Sequence, residues 1–357
     1  MIELNSVRSK TSEVQKRKDS LLPHSRESQS WLGFGESEVI ESVWEECLLR
    51  PVRSFLERPS KKFRARLVEL SAQTGGKLLG VAPSVESMHV CAEVLELIHA
   101  GSLIVDDIED GSQVRRGLPT LHREVGLPIA LNAGNWLYFW PMEKIRALRL
   151  QPETELRLYQ LCHQGLIRAH FGQSMDLGVR IDHLEQTQVR EVCLASLRLK
   201  TGALTEMAVG LGLAITGVSG AKFDKLVQFG EAFGVALQML DDLSNLKLDP
   251  AKRYEDLVLK RPSWLWAFVA SSLTPMEYSQ FKDAVTRLPD DRELLQLLNR
   301  EHRLQKAKQE AVEQIFVALE NLEDFLNLDL GSGAEEHVAL LLQPWRELGE
   351  KLSYAYL

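Results

Sequence analysis

The chain has 357 residues, of which 45% are hydrophobic, 26% charged and 7% aromatic, and these proportions exclude a mostly disordered or collagen-like polypeptide. Its 42 Lys and Arg against 50 Asp and Glu leave a net charge of −8, which excludes bulk nucleic-acid binding because that needs a basic footprint. An anionic substrate must then be held by local basic clusters or by metal ions.

Taken in chain order, residues 1–30 carry Ser, Lys, Arg and Glu without period, including Lys16-Arg17-Lys18, and lack the apolar core of a secretory signal. They are expected to form a flexible extension that orders only on contact. From about Trp31 the pattern becomes helical. Met88, Cys91, Leu95, Ile98, Ser102 and Val105 recur at steps of three and four, as do Val312, Ile315, Leu319, Leu322 and Leu326. No sustained apolar–polar alternation marks a strand. Turn signals fall at Thr74-Gly75-Gly76, Gly117-Leu118-Pro119, Gly126-Leu127-Pro128, Arg261-Pro262, Leu288-Pro289 and Gly331-Ser332-Gly333. No Gly-, Ser- or Pro-rich linker divides the chain, and no repeat is visible. The expectation is an all-α protein, with residues 31–357 forming one large helical bundle around a deep central cavity. No apolar run reaches the roughly 18–20 residues needed to span a bilayer, so no transmembrane segment is expected. The four cysteines, Cys47, Cys91, Cys162 and Cys193, are widely spaced and form no CxxC. They read as buried thiols in a reduced, cytoplasmic setting.

Chemistry concentrates first at Asp106-Asp107-Ile108-Glu109-Asp110. With His99 and Ser102, Asp106 and Asp110 share one helix face. Carboxylates crowded into one space require water or cations, and hard oxygen ligands at this spacing suit Mg²⁺ held together with substrate phosphates. A solvated acidic turn at a helix end is the alternative. A second cluster, Gln238, Asp241, Asp242 and Asn245, follows the apolar run Gly234-Val235-Ala236-Leu237 at the same helical steps. Two such helices suit several Mg²⁺ ions and a diphosphate, the metal neutralising a leaving group. Basic groups interleave with the acids: Lys61, Lys62, Arg64 and Arg66 ahead of the first cluster, Arg115-Arg116 just after it, Lys200 between the two, and Lys260-Arg261 after the second. Arg offers a planar fork that suits phosphate oxygens, and Lys a point charge.

These residues resemble the trans-isoprenyl diphosphate synthases, the polyprenyl synthetase family, and are most similar to the eukaryotic-type geranylgeranyl diphosphate synthases. The resemblance is carried by Leu97-Ile98-His99, Asp106 to Asp110, Arg115-Arg116-Gly117, Pro119 through His122, Asn132, Asn135, Tyr138-Phe139 and Glu143-Lys144. Gly172-Gln173 with Asp176, Lys200-Thr201-Gly202 and Gln238-Met239-Leu240-Asp241-Asp242 extend it. Specific motifs cover about residues 58–263. The resemblance implies the isoprenoid synthase fold, usually dimeric, with three Mg²⁺ ions gripping an allylic diphosphate through Asp106, Asp107 and Asp110 on one side and Asp241 on the other. Arg115 and Lys200 are implied to hold the same diphosphate. Lys61, Arg64, His99 and Arg116 match the positions that bind isopentenyl diphosphate, and Arg261 stands where the family has a diphosphate-binding Lys. Thr201 and Gln238 match polar groups beside the carbocation. The implied activity condenses isopentenyl diphosphate with an allylic diphosphate.

The chain departs from the family pattern in three places. Asn245 closes the second motif, as in the eukaryotic type. Pro59-Ser60-Lys61-Lys62-Phe63-Arg64-Ala65 replaces the glycine-rich segment, and Lys260-Arg261-Pro262-Ser263 replaces the late Lys-containing one. Gly101 and Ser102 lie one helical turn below the acids, where small side chains leave room for a growing tail. A product of twenty carbons, geranylgeranyl diphosphate, is the central expectation. The altered segment around Lys61 keeps open a class I terpene cyclase or an atypical prenyl transfer. A non-catalytic partner subunit is the third reading, against which the complete first motif argues.

Overall fold

The computed structural model describes residues 21–23, 28–29, 31–59, 63–244, 246 and 254–356. The described chain opens with α1 (Glu38–Trp44), a π-helical turn (Glu45–Leu49), α2 (Arg50–Leu56), α3 (Phe63–Leu79) and α4 (Val85–Glu109). A two-stranded ribbon, β1 (Val114–Arg115) and β2 (Leu118–Pro119), precedes α5 (Leu121–Val125), α6 (Leu127–Ala147), α7 (Pro152–Gly178) and α8 (Gln186–Leu197). A second π-helical turn (Arg198–Gly202) leads into α9 (Ala203–Ala214), α10 (Gly220–Ser244), α11 (Glu255–Val258) and α12 (Trp264–Ser272). The chain closes with α13 (Pro275–Thr286), α14 (Arg292–Asn299), α15 (Arg303–Leu330) and α16 (Glu335–Tyr356). The all-α expectation holds, and the ribbon contains the only strands among the described residues.

The chain groups into two compact units, Met1–Lys62 with Glu93–Lys144, and Phe63–Ala92 with Ile145–Leu357. In the first, Leu97, Ala100 and Ile104 of α4, Val52 and Phe55 of α2, and Ala130, Ala133 and Leu137 of α6 form one buried cluster. Leu22 is buried in the same cluster. Trp140 Nε1 donates to the Leu21 carbonyl at 2.9 Å, and Gln29 is buried with its side-chain carbonyl accepting the Ser37 N–H. The stretch expected to be a flexible extension is therefore packed at residues 21–22 and 29, because Leu22 finds an apolar site; residues 1–20, 24–27 and 30 lie outside the described ones.

In the second unit the core helix is α9, buried on every side except Glu206. A helix apolar all round must be wrapped by others, and α3, α7 and α10 pack against it. Thr74-Gly75-Gly76, read as a turn, lies inside α3. A Cβ on Gly75 would come 2.4 Å from Thr216 Oγ1, and one on Gly76 2.6 Å from the Val81 carbonyl, so these glycines serve close packing. The helix ends follow local chemistry. Pro152 opens α7, Glu185 and Gln188 form a capping box on α8, and Thr274 and Glu277 form one on α13 after which Pro275 sits at the first turn.

Among the described residues one helix, α4, is long and apolar enough by length and composition to cross a membrane, although it contains no uninterrupted apolar run of that length. Half of its most apolar stretch is buried inside the protein, and it ends in the acidic run. All four cysteines are free; Cys91, Cys162 and Cys193 are buried as expected, whereas Cys47 is exposed on the first π-helical turn.

Candidate active site

In the first unit the acids sit at the C-terminal end of α4. The helix stops in a Schellman motif: the Ser112 N–H reaches the Asp107 carbonyl at 2.9 Å, the Gly111 N–H reaches that of Ile108 at 3.2 Å, and Gly111 takes φ 63°. Asp106 and Asp107 thus lie in the last helical turn, with Asp110 at its edge. That is the negative end of the helix dipole, where acidic side chains are disfavoured. The chain answers with a ribbon. Arg116 and Gly117, at φ 57° and 78°, make a two-residue turn with both residues left-handed, the geometry that suits the strand twist. It pairs Arg115 with Leu118 and carries Arg115 onto the acids. The Arg115 Nε donates to Asp107 Oδ1 at 2.8 Å, and a terminal guanidinium nitrogen lies 3.3 Å from Asp106 Oδ2. Burial raises the Asp107 carboxyl above the usual carboxylate range, while the Arg115 hydrogen bond pulls it down. Burial works against the Arg115 charge, but Asp107 and Asp106 hold its proton more firmly than usual.

The second unit repeats the adverse placement, with Asp241 and Asp242 in the last turn of α10. The two acids differ. Asp241 is exposed and Asp242 is 8% exposed. A chain of hydrogen bonds ends on Asp242: Thr201 Oγ1 donates to Gln238 Oε1 at 2.8 Å, and Gln238 Nε2 donates to Asp242 Oδ1 at 2.8 Å. The Trp264 backbone N–H donates to Asp242 Oδ2 at 2.7 Å. Burial and the nearby Asp256 push the Asp242 carboxyl up, and its two donors oppose them.

Lys200 and Thr201 stand on the π-helical turn Arg198–Gly202, a local widening frequent at functional sites. Lys200 Nζ lies 2.8 Å from Asp176 Oδ2, and an Arg261 nitrogen 3.8 Å from the same oxygen. Gly172, four residues before Asp176 on α7, makes this approach possible. A Cβ there would sit 2.4 Å from the Lys200 backbone nitrogen. Asp256, on the short helix α11, joins the group. Its carboxyl is pushed up to about 6 by burial and by Asp176 and Glu255, with Lys200 and Arg261 acting the other way. The residues on both sides, Tyr254 at φ 69° and Lys260 at φ 58°, are left-handed without being glycine, a strained arrangement that tertiary contacts must hold. Sequence reading singled out neither Asp256 nor this strain. The acid pair Glu255-Asp256 shortly before Arg261 was the available signal.

Other expected residues distribute as follows. His99 on α4 is half-buried and Arg116 exposed in the ribbon turn, both in the first unit, and burial lowers the Arg116 proton affinity. Arg64 is half-buried at the start of α3 in the second unit. Lys61 and Asn245 lie outside the described residues. Gly101 does not line open space: a Cβ there would meet the Gly134 carbonyl at 2.8 Å and Leu137 Cβ at 2.9 Å. Its small size sets the contact of α4 with α6, a correction to its reading as a cavity floor. Ser102 is half-buried, and its hydroxyl donates to the His99 carbonyl at 2.8 Å.

The donor set fits Mg²⁺. It consists of hard carboxylate oxygens, and Asp107 Oδ2 is buried without a hydrogen-bond partner. Among the described residues no three His, Cys, Asp or Glu side chains form a ready cage.

The polyprenyl synthetase family matches residues 45–301. The chain belongs to this family, that of the trans-isoprenyl diphosphate synthases. It is 30% identical over 260 residues to a terpene synthase of Matsumurasca onukii, covering 72% of this chain and 76% of that one. It is 29% identical over 272 residues to a geranylgeranyl pyrophosphate synthase of Aspergillus flavus, covering 76% and 72%. In structure it is similar to a decaprenyl diphosphate synthase of Rhodobacter capsulatus, with TM-score 0.72, 18% identity and 99% of each chain covered. A geranylgeranyl pyrophosphate synthase of Corynebacterium glutamicum gives TM-score 0.71 at 21% identity, over 91% of this chain and 95% of that one. These likenesses establish the isoprenoid synthase fold. The polyprenyl synthetase chain is thus an isoprenyl diphosphate synthase.

Proposed function

We propose that this polyprenyl synthetase condenses isopentenyl diphosphate with an allylic diphosphate, in the presence of Mg²⁺, to give geranylgeranyl diphosphate. The observation that carries this is the acid pair at the negative end of each of two helices, each in a unit that also supplies a cation to a neighbouring aspartate: Arg115 on Asp106 and Asp107, and Lys200 on Asp176. Such placement costs stability and fits a site built to collect cations and phosphate. The geranylgeranyl pyrophosphate synthase relatives support the product.

In this reading Asp106, Asp107, Asp110 and Asp241 hold Mg²⁺, which when bound neutralises the diphosphate leaving group. Arg115, Lys200 and Arg261 orient the diphosphate oxygens of the allylic substrate. The C1–O bond breaks, and the diphosphate departs with the electron pair. Thr201 and Gln238 present polar atoms toward the allylic cation, and Asp242 holds Gln238 in place. Arg64, His99 and Arg116, together with Lys61, hold isopentenyl diphosphate, whose double bond attacks the cation; loss of a proton then forms the new double bond. Residues 31–357 act as one catalytic domain. The free thiols support a reduced, cytoplasmic setting, and the family supports a homodimer.

A class I terpene cyclase is the second reading, favoured by the relative named a terpene synthase. Incubation with Mg²⁺ and each allylic diphosphate, with and without isopentenyl diphosphate, separates the two. Elongated diphosphates are expected. Hydrocarbons or alcohols formed without isopentenyl diphosphate would overturn chain elongation. Asp106→Ala is expected to cut turnover about 1,000-fold or more with the helical circular-dichroism signal intact, and unchanged turnover would remove the acids from the mechanism.

A further inference from the structure

Glu231 lies two helical turns before Gln238 on α10, and its side chain is 14% exposed. Its carboxylate divides between two arginines. Oε1 accepts from Arg168 of α7, and Oε2 accepts from Arg198 Nε at 3.3 Å and from a terminal nitrogen at 3.0 Å. Arg168 also pairs with Glu206 of α9. Two arginines and two glutamates therefore link α7, α9, α10 and the π-helical turn that begins at Arg198. The same turn rests on Glu231 from below, since a Cβ on Gly202, its last residue, would lie 3.0 Å from Glu231 Cγ.

These linked elements also carry Asp176 on α7, Lys200 and Thr201 on the turn, and Gln238 and Asp242 on α10. A π-helical turn is an exception within an α-helix and needs outside contacts to fix its position. Here it is held on either side of Lys200: Arg198 to Glu231, and Thr201 to Gln238 at 2.8 Å. The Arg198 side chain is 61% exposed, and an exposed ion pair adds little to folding stability. What the Arg198–Glu231 contact supplies is location.

We infer that Glu231 is a positioning residue: through Arg198 and Arg168 it sets the place of the π-helical turn from which Lys200 addresses the allylic diphosphate. The inference rests on the reading of Lys200 given above. Without the Glu231 carboxylate two like charges, Arg168 and Arg198, face each other across the gap it filled, and repulsion moves the turn. A displacement of about 1 Å near reacting groups can cost on the order of 100-fold in rate.

The test is a double-mutant cycle on the full chain with farnesyl diphosphate and isopentenyl diphosphate. Calorimetric binding of inorganic diphosphate and melting temperatures are recorded for every variant. Glu231→Gln is expected to lower kcat/KM by about 10- to 100-fold and to weaken inorganic diphosphate, yet to have little further effect once Lys200 is Ala. Glu206→Gln, which cuts only the far arm, is the control and is expected to stay within about two-fold of wild type in both kcat/KM and diphosphate binding. Equal losses from Glu231→Gln in both backgrounds, or wild-type kinetics and binding for Glu231→Gln, would overturn the inference. Wild-type activity of Lys200→Ala would instead overturn the reading of the site, and the inference with it. If Glu231→Gln fails to fold, Arg198→Gln takes its place, with the same expected loss of diphosphate affinity; unchanged affinity there also rejects the inference.

Discussion

Asp242 accepts the backbone N–H of Trp264 at 2.7 Å, twenty-two positions away in the chain. The contact satisfies the first turn of α12 with a carboxylate, where the helix dipole favours negative charge. Asp241, its immediate neighbour, is exposed. Two adjacent aspartates in one motif thus do different work. Asp242→Ala is expected to lower stability by about 1–3 kcal/mol, because buried donors on Trp264 and Gln238 lose their acceptor. Asp241→Ala is expected to leave the melting temperature unchanged or raised, since it removes a charge from the negative helix end, while turnover collapses. Thermal melts and initial rates of both variants check the contrast, and a melt lowered equally by Asp241→Ala would contradict it.

Gly172 is the position where α7 lets the Lys200 turn approach. Its missing Cβ would overlap backbone atoms, with the Leu199 carbonyl carbon at 2.6 Å and the Lys200 nitrogen at 2.4 Å, so no side chain can swing aside. Gly172→Ala is expected to destabilise by about 1–3 kcal/mol and to lower kcat/KM by at least ten-fold, about as much as a slightly misplaced catalytic group costs. Urea titration and steady-state kinetics measure the two effects.

Ser102 stands one turn below Asp106, half-buried, with its hydroxyl hydrogen-bonded back to the His99 carbonyl of its own helix. Ser102→Phe is expected to shorten the main product, as seen by chromatography of the dephosphorylated prenols. An unchanged product profile would mean that Ser102 does not face the tail. Gly101 offers no comparable test, because the space beside it is already filled by α6.

Glu277 shows how acid acts on the fold away from the site. Hydrogen bonds from Arg303 and Thr274 hold its carboxyl down at about 2. A carboxyl lowered in the folded state contributes stability above its unfolded value, near 4.5, and loses it as pH falls toward about 2. Wild type is therefore expected to melt progressively lower across that window. Glu277→Gln should melt lower at pH 7 and show a flatter decline between pH 4.5 and 2. Parallel curves for the two proteins would rule out this linkage.

Much of the molecule was legible before its structure. Steps of three and four announced α4 and α15, and the acids, Arg115 and Lys200 stood out by type and spacing. Less legible were features that join distant segments. The Thr74-Gly75-Gly76 stretch looked like a turn because glycine is ambiguous locally, whereas Thr216 and Val81 press against it and need its missing side chains. Leu22 looked like part of a loose extension until the apolar cluster of α2, α4 and α6 gave it a site. Asp256 had no periodic context and is defined by Asp176, Lys200 and Arg261 around it.

A chain of net charge −8 can handle an anion only through locally placed cations. By itself the sequence determined the all-α class, the two acid clusters and the cations set among them, because helical periodicity and residue type are local properties written along the chain. Only the tertiary structure decided which acid of each pair is buried, that Asp242 is an anchor for α12, that Gly172 admits the Lys200 turn, and that Glu231 ties that turn to α7 and α10. Those facts depend on burial and on distances of a few ångströms between segments far apart in sequence, and no local pattern encodes them.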